Sequence, residues 1–321
     1  MTGKLSSLHL KDAPTSSSSK EVKVSCHGKM ILIGEHAVVY GAKAVAMPVY
    51  GMGLTLNASN SSEPKFVIDG IDLSVKLNPL VEDAKNLLNI DEKNQFHFEG
   101  TSSLPLGAGL GSSAALSVAI IRALSSLNNI SLLKSEISAF ANNLEKRFHG
   151  SPSGLDVSVV AFDKPIVFQN ENGPISVSEL SHETTFNFAL IDSGKRSSTI
   201  EMVEVASQYF KDKIAGPSLI KDFNQATNEL ICGMENGVIE KVKSAMNRAC
   251  QLLETISVVP EDLKTIIKSS LDLGCLAVKP TGAGGGGCLL ALLPSDTNKK
   301  TDILNKLIIK FGPKNIYGVT L

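Results

Sequence analysis

Pro105-Leu106-Gly107-Ala108-Gly109-Leu110-Gly111-Ser112-Ser113-Ala114-Ala115 runs without a break into an apolar helical pattern that continues to Leu127. Leu116, Ala119, Ile120, Ala123, Leu124 and Leu127 keep one face apolar. A glycine turn feeding a helix N-terminus presents free N–H groups and the positive end of the helix dipole, which suits a phosphate. The glycines let the backbone take positive φ and approach a ligand closely. Ser112 and Ser113 add hydroxyls able to hold phosphate oxygens or a magnesium ion. No Gly-Lys-Ser/Thr follows, so this is not a Walker A loop, and the alternating glycines do not make a dinucleotide fingerprint. The ligand class is a nucleotide or another phosphorylated molecule; a glycine turn capped by Ser112 is the plain structural alternative.

Two further glycine stretches lie far away in the chain. Gly28-Lys29 leads through 30–33 to Gly34-Glu35-His36, and Lys279-Pro280-Thr281 leads into Gly282-Ala283-Gly284-Gly285-Gly286-Gly287. Four consecutive glycines carry an entropic cost in folding, which close packing against a ligand or another loop would offset.

Strand patterns at 22–24, 30–33, 38–40, 45–48, 53–57, 66–68 and 95–103 predict an early sheet layer. Ser131 is placed to cap a second helix, which Gly150 and Pro152 end, and a short third helix starts near Gly154. Strands are expected at 165–168 and 186–191, with the polar stretch 169–185 as the domain seam. Helical patterns then dominate from 198 to 311, with strands at 277–279, 288–293 and 316–320. The expected architecture is α+β in two domains, 21–183 and 184–321, behind a disordered, serine-rich tail at 1–20.

Composition narrows the function classes. Hydrophobic content of 43% and charged content of 20% describe a globular chain with a sizeable core. A net charge of −1 and aromatic content of 5% without Trp argue against a nucleic-acid partner. No run approaches a transmembrane span and no apolar signal core opens the chain, so a cytoplasmic protein without a membrane partner is expected. Five scattered cysteines without a CxxC pair read as reduced thiols.

Five charged or titratable positions are candidates for chemistry. Asp156 is delivered by a glycine–proline turn to the start of a helical pattern, as a base or acceptor for a substrate hydroxyl or as a dipole-compensating residue. Glu145 follows core-facing Leu144 and either reaches a cleft edge, where magnesium needs few protein oxygens, or faces solvent. Lys29 stands at a strand entrance, able to balance phosphate charge or to lie on the surface. Glu35 and His36 occupy a turn that lines a pocket or serves structure.

The three glycine stretches, together with His149-Gly150-Ser151-Pro152-Ser153-Gly154-Leu155-Asp156, resemble the GHMP kinase superfamily in order and spacing, from about Val22 onward. The resemblance is nearest to its mevalonate-phosphorylating branch. It implies a two-domain fold with the active site in the cleft between domains, the second domain a ferredoxin-like α/β sandwich. It implies ATP and mevalonate as substrates, Mg2+ as cofactor, a homodimer, and a place in isoprenoid and sterol precursor synthesis. Gly107, Ala108, Gly109, Leu110, Gly111, Ser112 and Ser113 match the ATP phosphate loop, and Ser102 a nucleotide-contacting serine. Ser113 and Glu145 match magnesium ligands, Asp156 the base, and Lys29 the lysine at the transferred phosphoryl group. Glu35, His36 and Thr199 match the mevalonate side. Gly282, Ala283, Gly284 and Gly285 would brace the phosphate loop. The stretch 71–95 has no match, so the adenine contacts stay open. Phosphomevalonate and homoserine phosphorylation, or ligand sensing without catalysis, are the alternatives.

Overall fold

The computed structural model describes residues 20–150, 152–170, 175–181 and 184–320. The first sheet is built on one long strand. β1 (Glu21–Ile33) pairs antiparallel with β2 (Ala44–Asn60) from Glu21 opposite Ser59 to Ile33 opposite Val45. Then come β3 (Phe66–Ile68), β4 (Ile71–Asp72), α1 (Ser74–Leu87) and β5 (Phe96–Ser102). α2 (Ser112–Leu127), α3 (Lys134–His149) and α4 (Leu155–Phe162) follow, and β6 (Ile166–Gln169) and β7 (Ser176–Glu179) close the domain. The sheet order is β4-β3-β5-β2-β6-β7, with β1 on the opposite edge of β2. α2 is buried almost all round because it packs on β1, β2, α1, α3 and α4. Lys20 Nζ closes the far end of α2, donating to Ser126 O, Leu127 O and Asn129 Oδ1. The rest of the expected tail, residues 1–19, lies outside the described residues.

The second sheet is antiparallel in the order β11-β8-β10-β9. It comprises β8 (Asn187–Asp192), β9 (Ala277–Pro280), β10 (Cys288–Leu293) and β11 (Ile316–Thr320). Its helices are α5 (Thr199–Phe210), α6 (Ala215–Glu235), α7 (Ile239–Thr255), α8 (Glu261–Asp272) and α9 (Thr297–Phe311). The two halves interlock. Phe210 stacks on Tyr40 with ring centroids 4.6 Å apart, and Asn224 Oδ1 accepts from Lys43 N at 2.8 Å. No helix among the described residues is long and apolar enough to cross a membrane.

Several elements differ from the sequence reading. Residues 38–40 are not a strand: Ala37–Tyr40 is a 3-10 turn, because His36 at φ 60° and Gly41 at φ 91° bend the chain on both sides. The patterns at 45–48 and 53–57 belong to one strand, β2. Ser131 does not cap α3; the helix starts at Lys134, and Glu136 Oε2 accepts from Leu133 N at 2.7 Å. α1 was not foreseen, since Pro79 sits inside it and breaks the helical signature. β7 lies within the expected seam but pairs with β6, so the first sheet extends to Glu179.

Candidate active site

The loop before α2 is held in shape from behind. Lys29 N donates to Leu110 O, Cys288 N to Ala108 O and Arg196 Nε to Leu106 O, each at 2.9 Å. Alternate carbonyls are thereby occupied by β1 and by the second domain. The N–H groups at the start of α2 have no partner within the helix and remain for an anion. Glycine is required at the two closest approaches. A Cβ on Gly109 would lie 2.8 Å from Thr281 O, and one on Gly111, at φ 73°, would lie 2.7 Å from Lys29 Cγ.

Lys29 thus lies directly under the loop. Its ammonium is 3.0 Å from Asp156 Oδ2, and the lysine is 3% exposed while the aspartate is 38% exposed. Gly154 at φ 89° turns the chain into α4, which places Asp156 in the first turn of that helix. One carboxylate oxygen is anchored by a cation, and the group opens toward solvent.

Beside this pair, α2 and α3 bring a hydroxyl and a carboxylate together. Ser113 Oγ donates to Glu145 Oε2 at 2.9 Å and Ser117 Oγ to Glu145 Oε1 at 2.8 Å. His149 Nε2 lies 3.2 Å from Ser113 Oγ and 3.6 Å from Glu145 Oε2. Burial pushes the Glu145 carboxyl up to about 7; the two serine hydroxyls oppose the rise, Asp156 adds to it, and Lys29 opposes it. Burial holds His149 below the ordinary imidazole value, against the pull of Asp156. A buried carboxylate that resists ionisation, next to a hydroxyl, fits a hard cation that completes its shell with phosphate oxygens and water. Among the described residues no cluster of three or more His, Cys, Asp or Glu forms an all-protein metal cage.

The turn that carries Glu35 and His36 is more enclosed than its sequence suggests. Glu35 is buried and ion-paired with Lys279. Burial raises its carboxyl despite that lysine. His36 is buried, donates from Nε2 to Ala283 O at 2.8 Å, and is held below the ordinary imidazole value by burial. Thr199 opens α5 with an exposed side chain. Two residues before it, Ser197 Oγ donates to Gly284 O at 2.6 Å. Gly282 and Gly109 are backbone neighbours, while Gly284 packs on Val258 and Gly285 on Met202 and Ser197. Ser102 lies before the loop, where its hydroxyl accepts from Leu104 N at 3.3 Å. It borders a hollow of about 440 Å3 lined also by Ser25, His27, Thr55 and Thr101.

Lys29, Ser113, Glu145 and Asp156 therefore share one neighbourhood, and the third glycine loop backs the second. Ser117, His149, Lys279 and Thr281 were not among the sequence-derived site residues. The first two carried a usable signal, being one helical turn from Ser113 and Glu145 respectively. Lys279 announces itself only as a charge inside an apolar strand.

Known proteins resemble this chain in sequence and in fold. A family model for the GHMP kinases N-terminal domain matches residues 78–164, and one for the GHMP kinases C-terminal region matches residues 230–312. A mevalonate kinase of Pyrococcus furiosus is 28% identical, over 94% of this chain and 96% of its own. The crystal structure of L. major mevalonate kinase in complex with R-mevalonate superposes with a TM-score of 0.80 at 22% identity, covering 95% of this chain and 97% of that one. Streptococcus pneumoniae phosphomevalonate kinase in complex with phosphomevalonate and AMPPNP gives a TM-score of 0.79 at 19% identity, covering 94% and 100%.

Proposed function

The chain belongs to the GHMP kinase family, and from that premise we propose that it transfers the γ-phosphoryl group of ATP to the primary hydroxyl of mevalonate, a step toward isoprenoid precursors. The observation that carries the reading is the Lys29–Asp156 pair, half-open and set beneath the phosphate loop.

ATP would lie with its phosphates on the N–H groups of Gly107, Ala108, Gly109, Leu110, Gly111, Ser112 and Ser113, and its nucleoside toward the hollow at Ser102. The mevalonate hydroxyl would meet Asp156. As its oxygen bonds to the γ-phosphorus, the hydroxyl proton passes to the Asp156 carboxylate. The bond from the γ-phosphorus to the β,γ-bridging oxygen breaks and ADP leaves. Lys29 stabilises charge on the transferring group. Ser113 and Glu145 are the residues that would hold Mg2+, which when bound neutralises phosphate charge. Most of the rate comes from positioning and electrostatics. His36 and Thr199 would border mevalonate on the side of the third glycine loop; Glu35 stands behind them.

A phosphorylated acceptor is less well served. The cation behind the Glu35 turn, Lys279, is sealed from solvent and paired with Glu35, so it is not placed to receive a further phosphate. A ligand sensor would have no use for Lys29, Glu145 and Asp156 together. Five free cysteines suit a cytoplasmic setting, and a homodimer is the expected assembly.

A coupled ADP-release assay with mevalonate, phosphomevalonate and homoserine tests the reading. Turnover with mevalonate is expected. Faster turnover with another acceptor would replace mevalonate, and ATP binding without ADP release would favour the sensor.

A further inference from the structure

A second lysine–carboxylate pair lies behind the acceptor-side turn, and it joins the two domains. Lys279 sits in β9 of the second sheet and Glu35 just after β1 of the first; both side chains are essentially sealed from solvent. Lys279 Nζ also donates to Pro280 O at 2.6 Å and to Ile31 O at 3.4 Å. Two residues on, Thr281 grips the same point of β1. Ile31 N donates to Thr281 Oγ1 at 2.8 Å, and that hydroxyl lies 3.1 Å from Ile31 O. Ile31 is two residues from Lys29, and Glu35 immediately precedes His36. The loop that begins at Thr281 also backs the phosphate loop at Gly109 and Ala108. One short segment, 279–288, therefore touches both the strand that presents Lys29 and the loop assigned to ATP.

We propose that Lys279 and Glu35 are positioning residues, whose interdomain ion pair sets the acceptor side of the cleft at a fixed distance from the phosphate loop. This rests on the phosphotransferase reading above. Stability alone is a poor reason for such a pair, because neutral residues of similar volume often hold a fold as well or better. Phosphoryl transfer gives a reason: an acceptor misplaced by about 1 Å can lose about a hundredfold in rate. A competing role for Glu35 is direct contact with the acceptor through Oε2, which is buried and has no hydrogen-bond partner among the described residues.

A double-variant cycle on the full chain separates these roles. Glu35→Gln, Lys279→Met and the double variant are compared for kcat, for KM of ATP and of the acceptor, and for thermal midpoint. The acceptor is whichever alcohol of the panel the wild type phosphorylates. Lys279→Met should lower kcat about a hundredfold with the KM of ATP within about threefold. The double variant should regain the thermal midpoint lost by Lys279→Met yet stay about as slow as the worse single variant. Recovery of kcat together with the midpoint would make the pair merely structural and overturn the inference. Multiplied losses in the double variant would show Glu35 acting on the acceptor by itself and would overturn it too. Should Lys279→Met not fold, Glu35→Asp keeps the charge and shortens its reach; wild-type kcat in that variant overturns the inference. A wild type that prefers another alcohol sinks only the choice of mevalonate, whereas failure to release ADP with any alcohol of the panel sinks both proposals.

Discussion

Two lysine–carboxylate pairs flank the same stretch of β1, and they differ in exposure. Lys29 and Asp156 lie 3.0 Å apart, with the carboxylate 38% exposed; Lys279 and Glu35 are 0% and 1% exposed. The groups are chemically alike, but their surroundings assign different work. An open carboxylate can receive a substrate and exchange a proton. A sealed one can only hold its partner, because separating either charge in the interior costs several kcal/mol. Burial, more than residue type, separates a pair open to a ligand from one closed to it.

The largest expected effect falls on the open pair. Asp156→Ala should lower kcat by about 10²–10⁴-fold while ATP still binds, measured by turnover and nucleotide titration. Near-normal turnover would move the base elsewhere. The sealed pair should respond in stability: Lys279→Met leaves Glu35 buried without its cation and should cost about 3–5 kcal/mol in urea unfolding. A loss below 1 kcal/mol would mean the pair is looser than its burial implies.

Glu145 sharpens the contrast through pH. Its carboxyl is raised from 4.5 to about 7 in the folded chain. Between those values the folded state holds a proton that the unfolded state has released, so stability falls as pH rises through this window. The fall amounts to at most about 3 kcal/mol. Urea midpoints from pH 5 to 8 should decline more steeply in wild type than in Glu145→Gln, and parallel slopes would refute the shift. The smallest effect is expected at Gly111→Ala. Its positive φ and the Lys29 stem beneath it predict a loss of about 1–2 kcal/mol, with some loss of turnover as Lys29 is pushed aside. An unchanged thermal midpoint would show that the loop yields freely.

Much of the fold was legible because local signals agreed. The helix Ser112–Leu127 carries a continuous apolar face and the strand Cys288–Leu293 a continuous apolar run, each preceded by glycine. Reading failed where local and tertiary preferences diverged. Val38, Val39 and Tyr40 have strand-like side chains, but positive-φ neighbours fold them into a turn. Pro79 hides α1, although Leu77, Leu80, Val81 and Ala84 pack into the core around it. Ser113, Glu145, Lys29 and Asp156 were found through motif order, and all four meet. Glu35 appeared in the same motif with no sign of how deeply Lys279 encloses it.

The sequence by itself determined most of the helices and strands and placed the glycine turn before Ser112, because periodicity and backbone freedom act over a few residues. Only the tertiary structure decided which of two lysine–carboxylate pairs stays open and which is sealed. Lys279 and Glu35 are far apart in the chain, and solvent exclusion arises only when the two domains close around them.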